Sequence, residues 1–397
     1  ILVNCTFHTL SAMFASGPVI TTYYSDFTVT DCVFTNFGSK VMLPSFSKIN
    51  LSGNVMDNIA EAVNTDSCTG SIVSNRISNI NGYADAIDLD YAWGGPGEDY
   101  VVVDGNILSN AVDPDADGVD LGTARSIVRN NTIIGFGDKG ISIGEQTGYA
   151  EVRNNHVQGC TIGIAIKDGS DPVLANNTLI NCTYGIRSFL KYGPSGGRGS
   201  MTNSIIWNCG TNISLENGST LSVGYCDVQG TNWPGTGNIT NDPKFVNMAS
   251  GDLRLQRSSP CVNAGVNLPW MTGSPDRLGL PRIVGGTVDM GAYEYGIPLR
   301  LTIPLTATEG DGLLTGQGWI TIPEPQPSNI VITLTSSDDT ELKIPSNITI
   351  TAGQTNASCD PTVVDDALLD GTQMATITAT GLWCITTSVI VAVRDDE

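Results

Sequence analysis

The chain has 397 residues and carries 40 acidic against 19 basic side chains, a formal net charge of −21. That balance argues against a nucleic-acid partner, because a phosphate backbone is repelled, and suits an extracellular protein that recruits divalent cations. No stretch of eighteen apolar residues is present to span a membrane, and two histidines without a Cys-x-x-Cys pair argue against zinc.

In chain order, the first 230 residues keep returning to one phrase: an Asn corner, a short apolar run, a glycine and a second apolar run. It is clearest in RNNTIIGFGDKGISIG (129–144), RNNHVQGCTIGIAIKD (153–168) and ANNTLINCTYGIRSFL (175–190). Weaker copies precede these, in VTDCVFTNF (29–37), LSGNVMDNI (51–59), SNRISNINGYADAIDL (74–89) and VDGNILSNAVDPDADGVDL (103–121), and TNSIIWNCGTNISL (202–215) follows them. A period of this length without helical patterning predicts the coils of an all-β parallel solenoid. Alternation within each run puts one side of every strand inside. Asn130, Asn131, Asn154, Asn155, Asn176 and Asn177 fall at corners, where Asn tolerates left-handed angles and its amide bonds the next coil. Cys160, Cys182 and Cys209 share a column and read as buried thiols. Asn-x-Ser/Thr triplets, such as Asn4, Asn181 and Asn238, permit glycosylation.

Aligning Ile87, Val119, Ile141, Ile164 and Ile186 as interior positions places Asp88, Asp120, Ser142, Ala165 and Arg187 in one exterior column. Acids thus grade into bases along one face, with Asp90, Asp117, Lys139 and Lys167 nearby. Stacked carboxylates repel unless a cation sits between them. Asp88, Asp90, Asp117 and Asp120 are accordingly a candidate calcium cluster, and the plainer alternative is a solvated face of weak ion pairs. Two longer loops, 91–100 and 189–198, flank the face, and Trp93, Tyr100 and Tyr192 in them are candidates for stacking on sugars or for covering the coils beneath.

The coil pattern fades after residue 230. NITNDPKFVN (238–247), GDLRLQRSSPCVNAG (251–265) and DRLGLPRIVGGTVDMGAYEY (276–295) resemble the tail that closes the last coil of many secreted bacterial parallel β-helix proteins. The resemblance implies a right-handed, pectate-lyase-like β-helix over 1–230 with a cap over 231–297. It also implies that Arg282, Asp289 and Glu294 are cap contacts. From 298 to 397 short alternating strands predict a β-sandwich. ATEGDG (307–312), TVVDDALLDGTQ (362–373) and VRDDE (393–397) resemble the Calx-β family, with its immunoglobulin-like sandwich. In that family acids at one pole bind calcium, which implies Glu309, Asp338, Asp365, Asp366, Asp395, Asp396 and Glu397 here. Cys359 and Cys384, on strands expected to be neighbours, are the candidate disulfide.

Two functions follow as expectations. The first is a non-catalytic extracellular, matrix or filament protein that adheres to a cell-surface glycan, is stabilised by calcium and self-associates through its end coils. The alternative is a calcium-assisted polysaccharide lyase acting on an acidic polymer. By resemblance to lyases of this fold, Lys139, Lys167 or Arg187 would then remove the α-proton of a uronate. The NTD, paired Asp and GHG series of polygalacturonases are absent.

Overall fold

The computed structural model describes residues 1–8, 17–82, 84–91, 100–111, 113–123, 125–145, 147, 149–230 and 232–395. It divides into two compact units, Ile1–Arg282 with Thr287–Glu294, and Ile283–Gly286 with Tyr295–Glu397.

The first unit is the expected solenoid. One coil illustrates the logic. Ser126–Arg129 is a strand, Asn130 turns the corner with φ 55°, and Thr132–Ile134 is a second strand. Gly135 turns the next corner, Lys139–Gly144 is the third strand, and Glu145 closes the coil with φ 54°. Each coil pairs in parallel with the next. The result is a ten-stranded sheet from Leu2–Val3 to Ser222–Gly224 and a folded seventeen-stranded sheet made of the other strands. The expected register holds: Ile87 pairs with Val119, Val119 with Ile141, Ile141 with Ile164 and Ile164 with Ile186. All five are fully buried, so stacked aliphatics form one long core.

Each coil has three corners that need left-handed backbone, and two of them mostly use the residues that tolerate it. One corner carries Asn4, Asp31, Gly53, Ser74, Gly105, Asn130, Asn154, Asn176, Asn203 and, in the last coil, Tyr225. The second carries Asn36, Asn58, Asn79, Asn110, Gly135, Gly159, Asn181 and Asn208. The third carries Tyr24, Phe46, Ser67, Tyr91, Thr123, Glu145 and Asp168.

The doubled asparagines divide their work. Asn130, Asn154 and Asn176 supply the left-handed corner, whereas Asn131, Asn155 and Asn177 turn inward and are fully buried. The inward column is an unbroken amide ladder. Nδ2 of Asn54, Asn75, Asn106, Asn131 and Asn155 each donates to Oδ1 of the next asparagine at 2.9–3.0 Å. Asn131 also donates to the Val103 carbonyl at 3.0 Å and accepts from the Asn106 backbone N–H at 2.9 Å. An Asn131→Ala protein leaves these buried groups unsatisfied, at about 1–3 kcal/mol each. Its urea midpoint is expected to fall by the equivalent of ~3 kcal/mol or more, and a loss below ~0.5 kcal/mol contradicts the ladder's role.

Cys160, Cys182 and Cys209 are all free and stacked in their column, with the first two buried. Residues 236–239 extend the last coil, where Ile239 bridges Asp227. The 263–294 segment then runs back along the first corner across several coils. Asn203 and Asn176 donate to the Val266 and Asp289 carbonyls at 2.9 and 3.0 Å, and Asn154 donates to the Pro275 carbonyl at 3.2 Å. Arg282, fully buried, donates to Glu294 at 2.8 Å, Asn154 at 3.2 Å and the Gly291 carbonyl at 3.1 Å. Asp289 accepts from the Asn263 N–H at 2.6 Å. These three residues are structural contacts, holding a strap along the coils rather than only a lid over the last one.

The second unit packs a five-stranded sheet (Thr306–Thr308, Thr387–Arg394, Gln373–Gly381, Ile330–Ser336, Asn347–Ile350) and a three-stranded one (Arg300–Thr302, Trp319–Thr321, Asn356–Ser358) around a shared core. Ile320, Ile332, Ile377 and Val393 are fully buried there. The expected Cys359–Cys384 disulfide is not formed in the structure. Cys384 lies beside Ile297 in a separate strand pair, while the Cys359 N–H donates to the Gly318 carbonyl at 2.9 Å, next to the three-stranded sheet. Strand alternation puts both side chains inside without making them neighbours.

Candidate functional site

Three exterior columns run side by side on the folded sheet. Register fixes the first: Asn64, Asp88, Asp120, Ser142, Ala165 and Arg187. The second begins with Tyr23, Ser45, Asp66 and Asp90 and continues two coils on through Gly122 and Gly144. Lys167, one residue beyond Ile166, sits in it opposite Phe189. The third lies two residues before the stacked aliphatics and holds Lys40, Glu61, Asp85, Asp117 and Lys139.

Carboxylates from all three columns converge. Carboxylate oxygens of Asp85, Asp117 and Asp120 lie within 4.8 Å of one another. Asn64 bridges Asp88 and Glu61, donating to them at 2.6 and 2.9 Å. Burial, reinforced by Asp117 and Asp120, pushes the Asp85 carboxyl up to about 9. Burial and then Asp90 and Asp120 raise Asp88 to about 8. Asp90 rises to about 6, through burial and then Glu145 and Asp120. Asp117 rises to about 7, again chiefly by burial, although Lys139 pulls it back. Neutral solution thus finds more carboxyl groups here than the resident cations can keep ionised. An all-oxygen donor set short of positive charge fits a hard divalent cation such as calcium, which takes six to eight oxygen ligands.

The three predicted bases separate sharply. Lys139 is buried, with Nζ 3.2 Å from both Asp117 oxygens and also bonded to Asp138. Those partners hold its ammonium well above the usual range against burial, so it is the resident countercharge of Asp117. Arg187 forks onto Glu216 at 2.8 and 3.1 Å and stacks over Tyr184 and Phe189. Lys167 also faces the cluster, and among the described residues its amine has no hydrogen-bond or ion-pair partner closer than Asp120, at 3.8 Å. It reaches back because Gly144 leaves room: a Cβ there would stand 2.7 Å from Lys167 Cε and 3.2 Å from Nζ. A Cβ at Gly122 would likewise stand 2.4 Å from Asp90 Oδ1 and 3.3 Å from Glu145. The two glycines therefore form the floor of a cradle shared by the acids and the lysine.

Of the expected sugar contacts, Tyr192 is 81% exposed and sits beside Lys191. Its turn is fixed by Asp168, whose carboxylate accepts the N–H groups of Lys191, Tyr192 and Gly193 at 2.7–2.9 Å. Tyr100 packs on Tyr149 and Arg125 beside the ten-stranded sheet, outside the cluster. Trp93 lies outside the described residues. Sequence reading left Asp85, Glu61 and the cradle glycines out of the site. The signal for Asp85 was its offset of two from Ile87, which repeats that of Asp117 from Val119.

In the second unit, Glu309 and Glu341 are buried at the acidic pole. Burial, with Glu341, Asp366 and Asp395 nearby, raises Glu309 to about 7. Asp338 and Asp366 instead accept N–H groups two residues on, from Thr340 at 3.2 Å and Leu368 at 2.7 Å, and Asp395 accepts from Gly371 at 2.9 Å. Asp365 lies in the same 362–373 stretch, and Asp396 and Glu397 lie outside the described residues.

Residues 94–247 match a family described as the right handed beta helix region. With the parallel register above, that decides the architecture. The coils are a right-handed parallel β-helix. Among solved structures, pectate lyase Pel9A is similar to the β-helix protein at 15% identity, over 73% of this chain and 76% of its own, with a TM-score of 0.50. The E. coli chaperone DraB is similar over 25% of this chain and 55% of its own, at 10% identity and a TM-score of 0.20. No curated protein matches the sequence. No helix among the described residues is long and apolar enough to cross a membrane.

Proposed function

We propose that this β-helix is an extracellular lyase that cleaves an acidic polysaccharide by cation-assisted β-elimination. One observation carries the reading: a cluster of carboxylates short of positive charge abuts Lys167, which is folded over Gly144 and whose amine, among the described residues, comes no closer to a carboxylate than 3.8 Å. The likeness of the coils to a pectate lyase supports the same substrate class. A polymer too large to enter a cell places the work outside it.

Asp85, Asp117 and Asp120, with Asp88 and Asp90 beside them, would hold the cation. A calcium ion held by these residues would supply the positive charge that neutralises a uronate carboxylate and acidifies the neighbouring C–H. Lys167 takes the proton from that carbon. The electron pair left behind forms a C=C bond to the adjacent carbon, the glycosidic C–O bond breaks, and the departing oxygen takes a proton from water. Lys139 keeps Asp117 in place, and Asp168 fixes the turn that carries Tyr192 alongside.

The Gly144 cradle gives a specific test. In a Gly144→Ala protein the new methyl meets only the flexible end of Lys167, so the fold survives and the lysine is displaced. Turnover of polygalacturonate, followed by ultraviolet absorbance of the unsaturated product, is expected to fall by about a hundredfold, in line with loss of a positioned base. Unchanged turnover would place the base elsewhere. The non-catalytic alternative, an adhesion protein in which calcium is only a strut, predicts calcium binding without product from any uronate polymer.

A further inference from the structure

The first coils of the third corner column place aromatics where the other two corners carry mostly Asn and Gly, Tyr225 at the first corner of the last coil being the exception among the described residues. A left-handed backbone strains any residue with a bulky side chain, which is why Asn and Gly dominate at the first two corners. At the third, Tyr24 and Phe46 adopt φ of 49° and 48°, and Tyr91 adopts 52°. This corner borders the carboxylate face, since Tyr24, Phe46 and Tyr91 directly follow Tyr23, Ser45 and Asp90 of the second exterior column. Strain kept where Asn would relieve it marks side chains that do something a corner residue need not do.

The rings are also placed for contact. Tyr23, Tyr24 and Tyr91 are 60%, 61% and 57% exposed. Tyr24 stacks on Phe46 at 5.0 Å and 26° between planes, and Tyr23 meets both at 4.4 and 5.4 Å. Register puts Tyr23 three coils from Asp90, or about 14 Å at about 4.8 Å per strand step. That step is close to the rise of one pyranose in an extended polymer.

We propose that Tyr23, Tyr24, Phe46 and Tyr91 form a stacking platform for sugars of an acidic polysaccharide chain lying along the helix axis, running from the N-terminal coils to the edge of the carboxylate cluster. This rests on the lyase reading and extends it, because it predicts a preference for long chains over short ones. Rings present flat apolar faces to the C–H faces of pyranoses, while the acids and Lys167 engage the charged group being cleaved.

The test uses a Tyr24→Asn/Phe46→Asn protein, in which Asn suits the corner and the melting temperature should hold or rise. Affinity electrophoresis in polygalacturonate is expected to show binding weakened about tenfold, the loss expected for two aromatic contacts. Turnover of a short oligouronate, which occupies only the cluster, should be unchanged. Equal retention of the folded variant and the wild type overturns the platform and leaves the lyase reading intact. A wild type that is neither retained by polyuronate nor active on it is the distinct failure of the lyase reading, and the platform falls with it.

Discussion

A Lys167→Ala protein forms unsaturated product from polyuronate at less than about a thousandth of the wild-type rate, with its calcium affinity and melting temperature nearly unchanged. The size follows from removing a proton acceptor, worth 10²–10⁴-fold, without disturbing what holds the substrate. Lys167 is buried, but among the described residues its ion-pair contact is a loose 3.8 Å approach to the part-exposed Asp120, so its removal strips no carboxylate of a close counterion. Lys139 is the informative contrast. Its ammonium is the buried partner of Asp117 and Asp138, so Lys139→Met strips a buried charge of its counterion and costs about 3–5 kcal/mol. If Lys139→Met leaves stability intact and kills turnover while Lys167→Ala is active, the two roles are reversed.

The second large effect is on stability. Asp85, Asp88 and Asp117 ionise at about 9, 8 and 7 in the folded protein against 3.8 unfolded. Acids raised in this way contribute stability that is complete below about pH 4 and is lost as pH rises through their folded values. In chelator, the loss therefore runs from about pH 4 to 9, and the melting temperature falls from pH 6.5 to 9, above the range in which His156 titrates. His156 does not confuse this window: burial lowers it to about 4, so its contribution is confined to lower pH. Calcium ligated by the ionised acids reverses the slope. At a hundredfold excess over its dissociation constant it adds about 2.7 kcal/mol, or about 4 °C for a unit of this size. Asp85→Asn removes one buried acid and one ligand together. At pH 8 it should melt higher than wild type in chelator and lose most of the calcium response. Calcium scans that superpose with chelator scans for wild type at pH 8 would contradict a cation site here. A calcium shift retained in full by Asp85→Asn would assign it to the acidic pole of the second unit around Glu309 instead.

Much of the β-helix was legible because its two strongest signals are local. Alternating aliphatics at Ile141 and Ile143, repeated at Ile164 and Ile166, fix which side faces inward, and the same offsets set the register between coils. The Asp88–Asp120 pairing followed directly. The doubled asparagines were recognised as corner residues, but the division between a left-handed first and a buried second is a property of the three-dimensional coil. Lys139 and Lys167 look alike in sequence. They part company because one stands two residues before an inward isoleucine, in the column of Asp117, and the other stands one residue after, above a glycine. Asp85 was obscured by the irregular spacing around residues 91–100 and 111–118, which breaks the period on which the alignment depended. In the second unit, alternation revealed the strands and the inward thiols, yet not the order of strands in the sheets, and the disulfide expectation failed on that order.

The most direct test of the central claim is the ultraviolet absorbance of wild-type protein incubated with polygalacturonate, polymannuronate and polyguluronate, with calcium and then with excess chelator. The account predicts product from at least one of these polymers, rising with calcium and stopping when it is removed. No product from any of them, with calcium still raising the melting temperature, would contradict the lyase and leave a cation-stabilised adhesion protein.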